Sequence, residues 1–513
     1  MTAKVIMVQG TGSSVGKSVL VSALCRIFAQ DGLRVAPFKA QNMSLNAGVT
    51  PDGLEIGRAQ VVQAEAAGVA PTVDMNPILL KPEADYRAQL VVMGRPDGTL
   101  DSKGYPTRKA RLWGVVTGAL DRLRAEYDVV VVEGAGSPAE INLRQGDIVN
   151  MEVALYARSP VLLIGDIDKG GVFASFFGTV ALLDDRERAL VQGFIINKFR
   201  GDITLLEPGL RQIEGLTAVP VIGVLPYFHD IYVPEEDAAS AAQATSGPTA
   251  KPDAEALRIV VVVLPHIANF DDFDPLAREH SVQLKYAREA SQIGKPDLII
   301  IPGTKTTATD LAYLRRSGMA EAIVRLAASG TALIGVCGGL QMLGATIADP
   351  MSLESDLGDV PGLEQLAIET RFGEEKRTNR VVAEVTHGVG LLEGADGIRF
   401  DTYEIHMGET RPVAGTGIRS AMPSIAVKTR SGAPADGVVG YSSEDGWILG
   451  SYTHGMFAST RVRRLILTNL ARRVGRKLRF EDESFSQEGE FDKLAALVRA
   501  NLDMDAIRAM MSR

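Results

Sequence analysis

Two short glycine-rich turns, far apart in the chain, carry the residues best suited to chemistry. The first, "GTGSSVGKS" at residues 10–18, ends in Lys17 and Ser18. Backbone N–H groups of such a loop bind phosphate, the lysine reaches the β- and γ-phosphates, and the serine ligates Mg²⁺. The second, "GVCGG" at residues 335–339, places a cysteine in a similar turn. The first turn predicts phosphate chemistry, and the second predicts a nucleophilic thiol.

Acidic and basic residues at the ends of predicted strands supply partners for the phosphate. Glu133 ends the apolar run "DVVVVE", and Lys39 follows "VAPF". Parallel strands bring their carboxyl ends to the same edge of a sheet. We therefore expect Glu133 and Ser18 to ligate Mg²⁺, and Lys39 to neutralise transferring phosphoryl oxygens as a catalytic residue.

Three further residues at this edge have two interpretations each. Glu55 and Asp166 are acids that could face the metal, although isolated acids are more often surface charges or caps. Asn197 follows the apolar run "GFII" and could contact the nucleotide, although a simple strand-terminal turn explains it equally well.

The cysteine turn has the features of a nucleophile elbow. Cys337 lies between the apolar run "ALIGV" and a glycine pair that opens a helix, which exposes a nucleophile and lowers a thiol pKa. The N–H groups of Gly338 and Gly303 are candidates for an oxyanion site. Of six histidines, His454 at the end of "ILGSYTH" is the best catalytic partner, and His406 in "YEIHMG" is a weaker alternative.

Short apolar runs position both turns. Six of them, from "KVIMVQ" to "VPVIGVLP", alternate with helical stretches in the first half, which indicates a parallel sheet covered on both faces. A stretch rich in Ala, Ser and Pro follows, and then "RIVVVVLP", "DLIIIPG" and "TALIGV" begin a second α/β sheet. We predict a phosphate-loop domain at 1–234, a linker at 235–257, an α/β domain at 258–475 and a helical tail at 476–513.

Composition limits the classes of protein. The 513 residues carry a net charge of −9, which gives no general attraction to nucleic acid or anionic membrane. Only two cysteines occur, so a disulfide framework is excluded, and we expect a cytoplasmic protein. No apolar segment is long enough for a membrane span. The sequence leaves open whether the chain forms a homo-oligomer.

Both turns resemble known families. The first has Thr11 where the strict pattern has Gly, and Gly10, Gly12 and Gly16 around it, which is similar to the loop of the dethiobiotin synthetase group. That resemblance implies that ATP activates a carboxylate. The second turn, with His454, resembles class I glutamine amidotransferases, in which the cysteine releases ammonia from glutamine. The wider class has Glu at the position of Met456, and its absence points to the subgroup of cobalamin biosynthesis.

Motifs along residues 5 to about 460, among them "PFKAQNMSLNA", "VVEGAGSPAEINL", "DIDKGGVFAS" and "NFDDFDPL", are similar to the cobyric acid synthase family. The resemblance implies ATP- and glutamine-dependent amidation of the b, d, e and g carboxylates of adenosylcobyrinic a,c-diamide, a small corrinoid. Two alternatives are the cobyrinic acid a,c-diamide synthases and partitioning-type P-loop ATPases. Those ATPases usually carry a second lysine early in the loop, at the position of Thr11 or Gly12.

Overall fold

A computed structural model describes residues 2–84, 87–101, 105–144, 146–234, 255–480 and 486–512. The chain forms two compact units. One comprises Met1–Ser44, Glu55–Pro234 and Phe485–Arg513, and the other comprises Leu45–Leu54 and Glu235–Ser484. Neither unit is one continuous segment, whereas the boundaries expected from the sequence are continuous. Residues 235–254 of the predicted linker lie outside the described residues.

The elements of the described residues are numbered in chain order. The strands are β1 Lys4–Gly10, β2 Val35–Phe38, β3 Gln41–Met43, β4 Ala47–Val49, β5 Glu55–Gly57, β6 Ile78–Ala84, β7 Arg87–Val92, β8 Arg95–Asp101, β9 Val129–Glu133, β10 Val161–Asp166, β11 Val191–Phe199, β12 Val221–Pro226, β13 Leu257–Val262, β14 Val282–Ala287, β15 Leu298–Ile301, β16 Ala332–Val336, β17 Thr346–Ala348, β18 Val360–Pro361, β19 Ile368–Val385, β20 Arg399–Pro412, β21 Met422–Arg430, β22 Ala433–Pro434, β23 Val438–Ser442 and β24 Ile448–Ser451.

Helices of both units connect and cover these strands. The α-helices are α1 Lys17–Gln30, α2 Arg58–Ala66, α3 Tyr105–Glu126, α4 Met151–Ala157, α5 Val172–Leu182, α6 Asp185–Arg188, α7 Ile203–Thr217, α8 Asp274–Ala277, α9 Ala290–Ile293, α10 Thr307–Arg316, α11 Met319–Ala328, α12 Gly338–Leu343, α13 Thr460–Val474, α14 Gln487–Asn501 and α15 Met504–Met510. Short 3₁₀ helices span Val73–Met75, Phe270–Phe273, Gly390–Leu392 and Met456–Ala458.

A six-stranded sheet, in the order β12-β11-β10-β1-β9-β2, forms the centre of the first unit. All neighbours in it are parallel, and the six apolar runs of the first half supply its strands. In β9, Val130 and Val132 contribute to one core, whereas Val129 and Val131 contribute to another. Both faces are therefore covered, which explains why the runs are continuous rather than alternating. The predicted parallel sheet is confirmed.

A second sheet in the first unit was not expected from the sequence. Its strand order is β3-β6-β7-β8, and its last three strands form an antiparallel meander. The strands carry mixed polar and apolar residues, as in "RPDGTLD", so no strong period marks them. The chain reaches this sheet directly after Lys39, at the end of β2.

The C-terminal helices α14 and α15 belong to the first unit. Phe491, Leu494 and Val498 of α14 share a core with Phe28 of α1. Arg508 of α15 lies 3.0 Å from the Asp31 carboxylate, which follows α1. These residues form two helices, and the apolar face of α14 packs on the helix that starts at the phosphate loop.

The second unit contains a mixed sheet with the order β14-β13-β15-β16-β24-β23-β21-β19-β17-β18, and with β20 on β19 and β22 on β21. The strands from β14 to β24 in this order are parallel, and β24-β23-β21-β19-β20 are antiparallel. The predicted second α/β sheet is confirmed. The long β19-β20 pair was missed because its exposed, charged segments lack an apolar pattern.

Among the helices of the described residues, none combines the length and apolar character that a membrane crossing requires.

Candidate active sites

The phosphate loop lies between β1 and α1, as its flanking residues predict. Gly16 has a φ of +103°, and a Cβ on it would lie 2.2 Å from the Asn197 amide nitrogen. Only glycine fits this position. The Lys17 Nζ donates hydrogen bonds to the carbonyl oxygens of Gly12 (2.8 Å) and Gly136 (3.0 Å). The lysine amino group therefore lies across the loop, where a phosphate group would be held.

Glu133 is the centre of a buried hydrogen-bond cluster beside this loop. Its Oε1 accepts from Ser18 Oγ at 2.8 Å and from Lys39 Nζ at 2.9 Å. Its Oε2 accepts from Gln63 Nε2 at 2.5 Å. Burial alone would raise the pKa of Glu133. The charge and hydrogen bond of Lys39, together with the hydrogen bonds of Gln63 and Ser18, lower this pKa overall. The carboxylate is therefore ionised next to the serine hydroxyl.

An ionised carboxylate beside a serine hydroxyl fits Mg²⁺, which is usually held by one or two protein oxygens together with substrate phosphates and waters. Glu55, by contrast, accepts a hydrogen bond from Lys81, and Asp166 lies 2.9 Å from Lys198. Within the part of the chain that the structure describes, no cluster of three or more His, Cys, Asp or Glu residues forms a metal site. The donor set therefore suits a metal that a nucleotide brings with it.

Asn197 holds the phosphate loop itself. Its Nδ2 donates to the carbonyl oxygen of Val15 at 2.8 Å, and Lys198 Nζ donates to that of Ser14 at 3.1 Å. The N–H of Thr11 donates to Ile164 of the neighbouring strand β10 at 3.0 Å. The side chain of Asn197 thus contacts the loop that binds the nucleotide.

Cys337 stands at a sharp turn between β16 and α12. Its φ of +52° and ψ of −109° are strained for a non-glycine residue, and its N–H donates to Ser451 at 2.7 Å. A Cβ on Gly339 would lie 2.1 Å from the carbonyl oxygen of Ile301. The close approach of α12 to β15 therefore requires this glycine.

His454 is held by a carboxylate that sequence reasoning missed. Its Nδ1 lies 2.7 Å from Asp272 Oδ2, and the other carboxylate oxygen accepts from the N–H of Gly455 at 2.9 Å. Burial alone would lower the pKa of His454, but Asp272, followed by Cys337, raises it above its ordinary value. Because Asp272 engages Nδ1, the other ring nitrogen is the one available to the thiol of Cys337, as a nucleophile-base-orienter arrangement requires.

Asp272 supplies a carboxylate contact to His454 in a chain that has Met456 where the wider amidotransferase class has Glu. It precedes His454 by 182 residues, in the 3₁₀ helix Phe270–Phe273. The available signal was the acidic motif "NFDDFDPL" at residues 269–276. Spacing alone does not say which of its three aspartates turns inward. The position of the 3₁₀ helix decides that.

The predicted oxyanion glycines lie at the same site. A Cβ on Gly303 would be 2.9 Å from His454 Cε1 and 3.6 Å from Cys337 Cβ, so the backbone of this glycine lies beside both side chains. Gly338 is the first residue of α12 and follows the cysteine directly. The structure thus brings these two glycines together with Cys337 and His454.

His406 lies near the site but in a different position. Its ring stacks on Tyr452 with the centroids 3.7 Å apart, and its Nε2 lies 3.5 Å from Glu404. The contact that β20 makes with Cys337 is the carbonyl oxygen of Ile405, 3.6 Å from Sγ. The geometry therefore favours His454 over His406 as the partner of the thiol.

Comparison with known proteins decides the family. The model of the CobQ/CobB/MinD/ParA nucleotide binding domain matches residues 6–239, and that of the CobB/CobQ-like glutamine amidotransferase domain matches residues 258–462. A cobyric acid synthase of Dehalococcoides mccartyi (strain CBDB1) is 48% identical over 510 residues, with 99% of each chain covered. That of Citrobacter koseri is 47% identical over 513 residues, covering 99% of this chain and 98% of the relative. The chain belongs to the cobyric acid synthase family.

A third relative, a cobyric acid synthase of Sorangium cellulosum, is 47% identical over 524 residues and covers all of this chain and 99% of its own. The resemblance drawn from the motifs is confirmed, as is the combination of a nucleotide-binding P-loop domain with an amidotransferase domain. The chain is a glutamine-dependent ligase of cobalamin biosynthesis. A partitioning-type ATPase, the more distant alternative, does not account for a match over both halves.

Proposed function

We propose that the chain amidates the b, d, e and g side-chain carboxylates of adenosylcobyrinic acid a,c-diamide to give adenosylcobyric acid. The observation that carries the proposal is the presence of two complementary sites in one chain. One joins Ser18, Lys39 and Glu133 beside a phosphate loop, and the other joins Cys337 to His454. The near-full-length likeness to cobyric acid synthases supports this choice of substrate.

The thiol site would release ammonia from glutamine. The Cys337 sulfur attacks the carboxamide carbon, the oxyanion accepts hydrogen bonds from Gly303 and Gly338, and the C–N bond breaks as His454 gives the leaving nitrogen a proton. Water then hydrolyses the thioester to glutamate. Asp272 keeps the imidazole oriented and stabilises its charged form. This half of the reaction needs no nucleotide.

The phosphate site would activate the acceptor carboxylate. A carboxylate oxygen takes the γ-phosphoryl group of ATP, whose bond to the bridging oxygen breaks to release ADP, and ammonia then displaces phosphate from the acyl phosphate. Lys17 binds the phosphates and Lys39 lies where it offsets their charge. Ser18 and Glu133 would hold Mg²⁺, which supplies positive charge to the phosphate oxygens. The two half-reactions together replace one carboxylate oxygen, which leaves within the phosphate, with an amino group.

One assay separates this function from its nearest rival, the a,c-diamide synthases, which share both modules. Mass spectrometry follows the corrinoid after incubation of adenosylcobyrinic a,c-diamide with enzyme, ATP, Mg²⁺ and glutamine. We expect four successive conversions of carboxylate to carboxamide. An enzyme that leaves this substrate unchanged, yet amidates cobyrinic acid twice, would be the rival synthase.

The division of labour is tested with two variants. Cys337→Ala should abolish amidation with glutamine but retain amidation with ammonium salts, because the phosphate site is intact. Lys17→Ala should block amidation from either nitrogen source. Loss of both activities in Cys337→Ala would contradict the proposed roles of the two sites.

A further inference from the structure

A ten-residue stretch from the N-terminal half of the sequence belongs to the second unit. Leu45–Leu54 lies in that unit, whereas Ser44 before it and Glu55 after it belong to the first. The stretch contains β4 and ends in a turn closed by Thr50, whose Oγ1 accepts from the N–H of Leu54 at 3.0 Å. Arg380 of β19 donates to the carbonyl oxygen of Val49 at 3.0 Å. The stretch is thus built into the unit that holds Cys337.

Two hydrogen bonds join Asn46 and its neighbour Ala47 to Asn269. The Asn46 Oδ1 accepts from the N–H of Asn269 at 2.6 Å, and the Asn269 Oδ1 accepts from the N–H of Ala47 at 3.0 Å. Both asparagine side chains are buried. Buried amide and N–H groups are costly to leave without partners, so the pair fixes the backbone at Asn269.

Asn269 in turn organises the surroundings of His454. It is the N-cap of the 3₁₀ helix Phe270–Phe273 and has a φ of +52°. Its carbonyl oxygen accepts from the N–H of Asp272 at 3.1 Å. Its Nδ2 donates to the hydroxyl of Tyr403 at 3.0 Å. The residue before it, Ala268, donates to the Gly303 carbonyl at 2.9 Å. Asn269 therefore contacts the carboxylate turn and the tyrosine, and its neighbour Ala268 contacts Gly303.

Tyr403 completes the path to the imidazole. Its ring stacks on that of His454, with centroids 5.3 Å apart and planes inclined by 19°. The two residues also exchange backbone hydrogen bonds, at 3.2 Å and 2.9 Å. The imidazole is thus held at Nδ1 by Asp272 and on its face by Tyr403, and both supports begin at Asn269.

We propose that Asn46 is a positioning residue of the glutaminase site, and that Leu45–Leu54 is an integral part of this site. The inference rests on the proposed function, because it assumes that Cys337 and His454 hydrolyse glutamine. It goes beyond that function in placing a determinant of glutaminase rate outside residues 258–462, which the amidotransferase family model matches. Asn46 acts through Asn269, whose N–H donates to its Oδ1.

The test compares full-length variants at Asn46. Asn46→Ala removes the acceptor of the Asn269 N–H and should lower kcat for glutamine hydrolysis about tenfold or more, with a smaller change in KM. Asn46→Asp keeps an acceptor oxygen in place and should recover most of the rate. Asp52→Asn, an exposed position in the same stretch, is the matched control and should behave as the natural chain.

A second readout distinguishes positioning from general support. Iodoacetamide alkylation reports the thiolate of Cys337, because Cys25 is fully buried and does not compete. A less firmly held imidazole is less well placed to activate the thiol, so alkylation of Cys337 at a fixed pH should be slower in Asn46→Ala. Ammonia-dependent amidation should be retained.

The outcomes separate the inference from the function it rests on. A natural chain without glutaminase activity, or an active Cys337→Ala, would overturn the proposed function. A normal glutaminase rate and a normal alkylation rate in Asn46→Ala, beside an inactive Cys337→Ala, would overturn the inference alone. Loss of both glutamine- and ammonia-dependent activity in Asn46→Ala would make the residue a general structural support and would also overturn it.

Discussion

Asp272 contacts the imidazole of His454 from a position far away in the sequence. The carboxylate makes two contacts, because one oxygen lies beside His454 Nδ1 and the other accepts from the N–H of Gly455. It therefore orients the imidazole relative to its own backbone turn. The electrostatic consequence is the raised pKa of His454, which favours the protonated imidazole beside Cys337.

Replacing Asp272 by Asn should therefore weaken glutamine hydrolysis strongly. The amide keeps the shape of the carboxylate but removes its charge, so the pKa of His454 falls towards its ordinary value. Loss of an orienting carboxylate costs on the order of 10²–10⁴ in kcat in comparable triads. Steady-state glutaminase assays measure the effect, and Asp271→Asn is the neighbouring control. An Asp272→Asn variant within threefold of the natural rate would exclude the orienting role.

Lys39 and Glu133 permit a test of the phosphate site through stability. The pair is 2.9 Å apart, and both side chains are almost completely buried. Lys39→Met leaves a buried carboxylate without its cation, which raises the pKa of Glu133 and should cost about 3–5 kcal/mol of unfolding free energy. Adding Glu133→Gln removes the stranded charge and should restore most of the loss.

Chemical denaturation of the two single variants and the double variant measures this coupling. Neither Lys39→Met nor the double variant should amidate the corrinoid with any nitrogen source, although both should still hydrolyse glutamine. A double variant with normal ammonia-dependent amidation would show that the pair serves stability alone.

At the scale of elements, the elbow depends on how closely α12 approaches the end of β15. Gly339→Ala would place a methyl group 2.1 Å from the Ile301 carbonyl oxygen, which is fixed in the sheet. The helix must move, and Cys337 with it. We expect a destabilisation of about 1–3 kcal/mol and loss of most glutaminase activity.

Gly373→Ala provides the matched control, because a Cβ there meets nothing within 4 Å and its φ is not positive. Thermal unfolding and glutaminase assays of the two variants give the comparison. Equal behaviour of the two alanine variants would mean that α12 can shift without moving the thiol.

Strands with continuous apolar patterns were predictable from the sequence. Which side chains from distant parts of the chain lie next to one another was predictable only in part. Buried parallel strands such as β9 and β16 are recognisable as continuous apolar runs, because both faces of the sheet are covered. Their ends locate Glu133 and Cys337. The meander β6-β8 and the pair β19-β20 have no such pattern. Tyr403, on β20, was missed for that reason, and Asp272 because its partner is distant in sequence.

At the scale of the whole molecule, the two units are interleaved along the chain. The first unit takes its last helices from the C-terminus, and the second takes Leu45–Leu54 from the N-terminal half. A boundary in the linker therefore does not separate two self-sufficient segments. This arrangement could not be read from motif order, because α14 and α15 carry no motif and reveal only an apolar face.

Cutting the chain within residues 235–254 should accordingly leave an incomplete N-terminal fragment. Residues 1–234 lack Phe491, Leu494 and Val498, which are buried against α1. Burial of a large apolar side chain contributes about 1.5–3 kcal/mol, so losing all three removes about 5 kcal/mol or more, comparable with the stability of an ordinary domain. We expect the 1–234 fragment to aggregate or to unfold without a cooperative transition.

Joining residues 486–513 to the end of this fragment through a flexible linker should restore a cooperative transition in calorimetry. If the fragment and the fusion unfold at the same temperature, the C-terminal helices are dispensable for the first unit and contribute nothing to its free energy of unfolding.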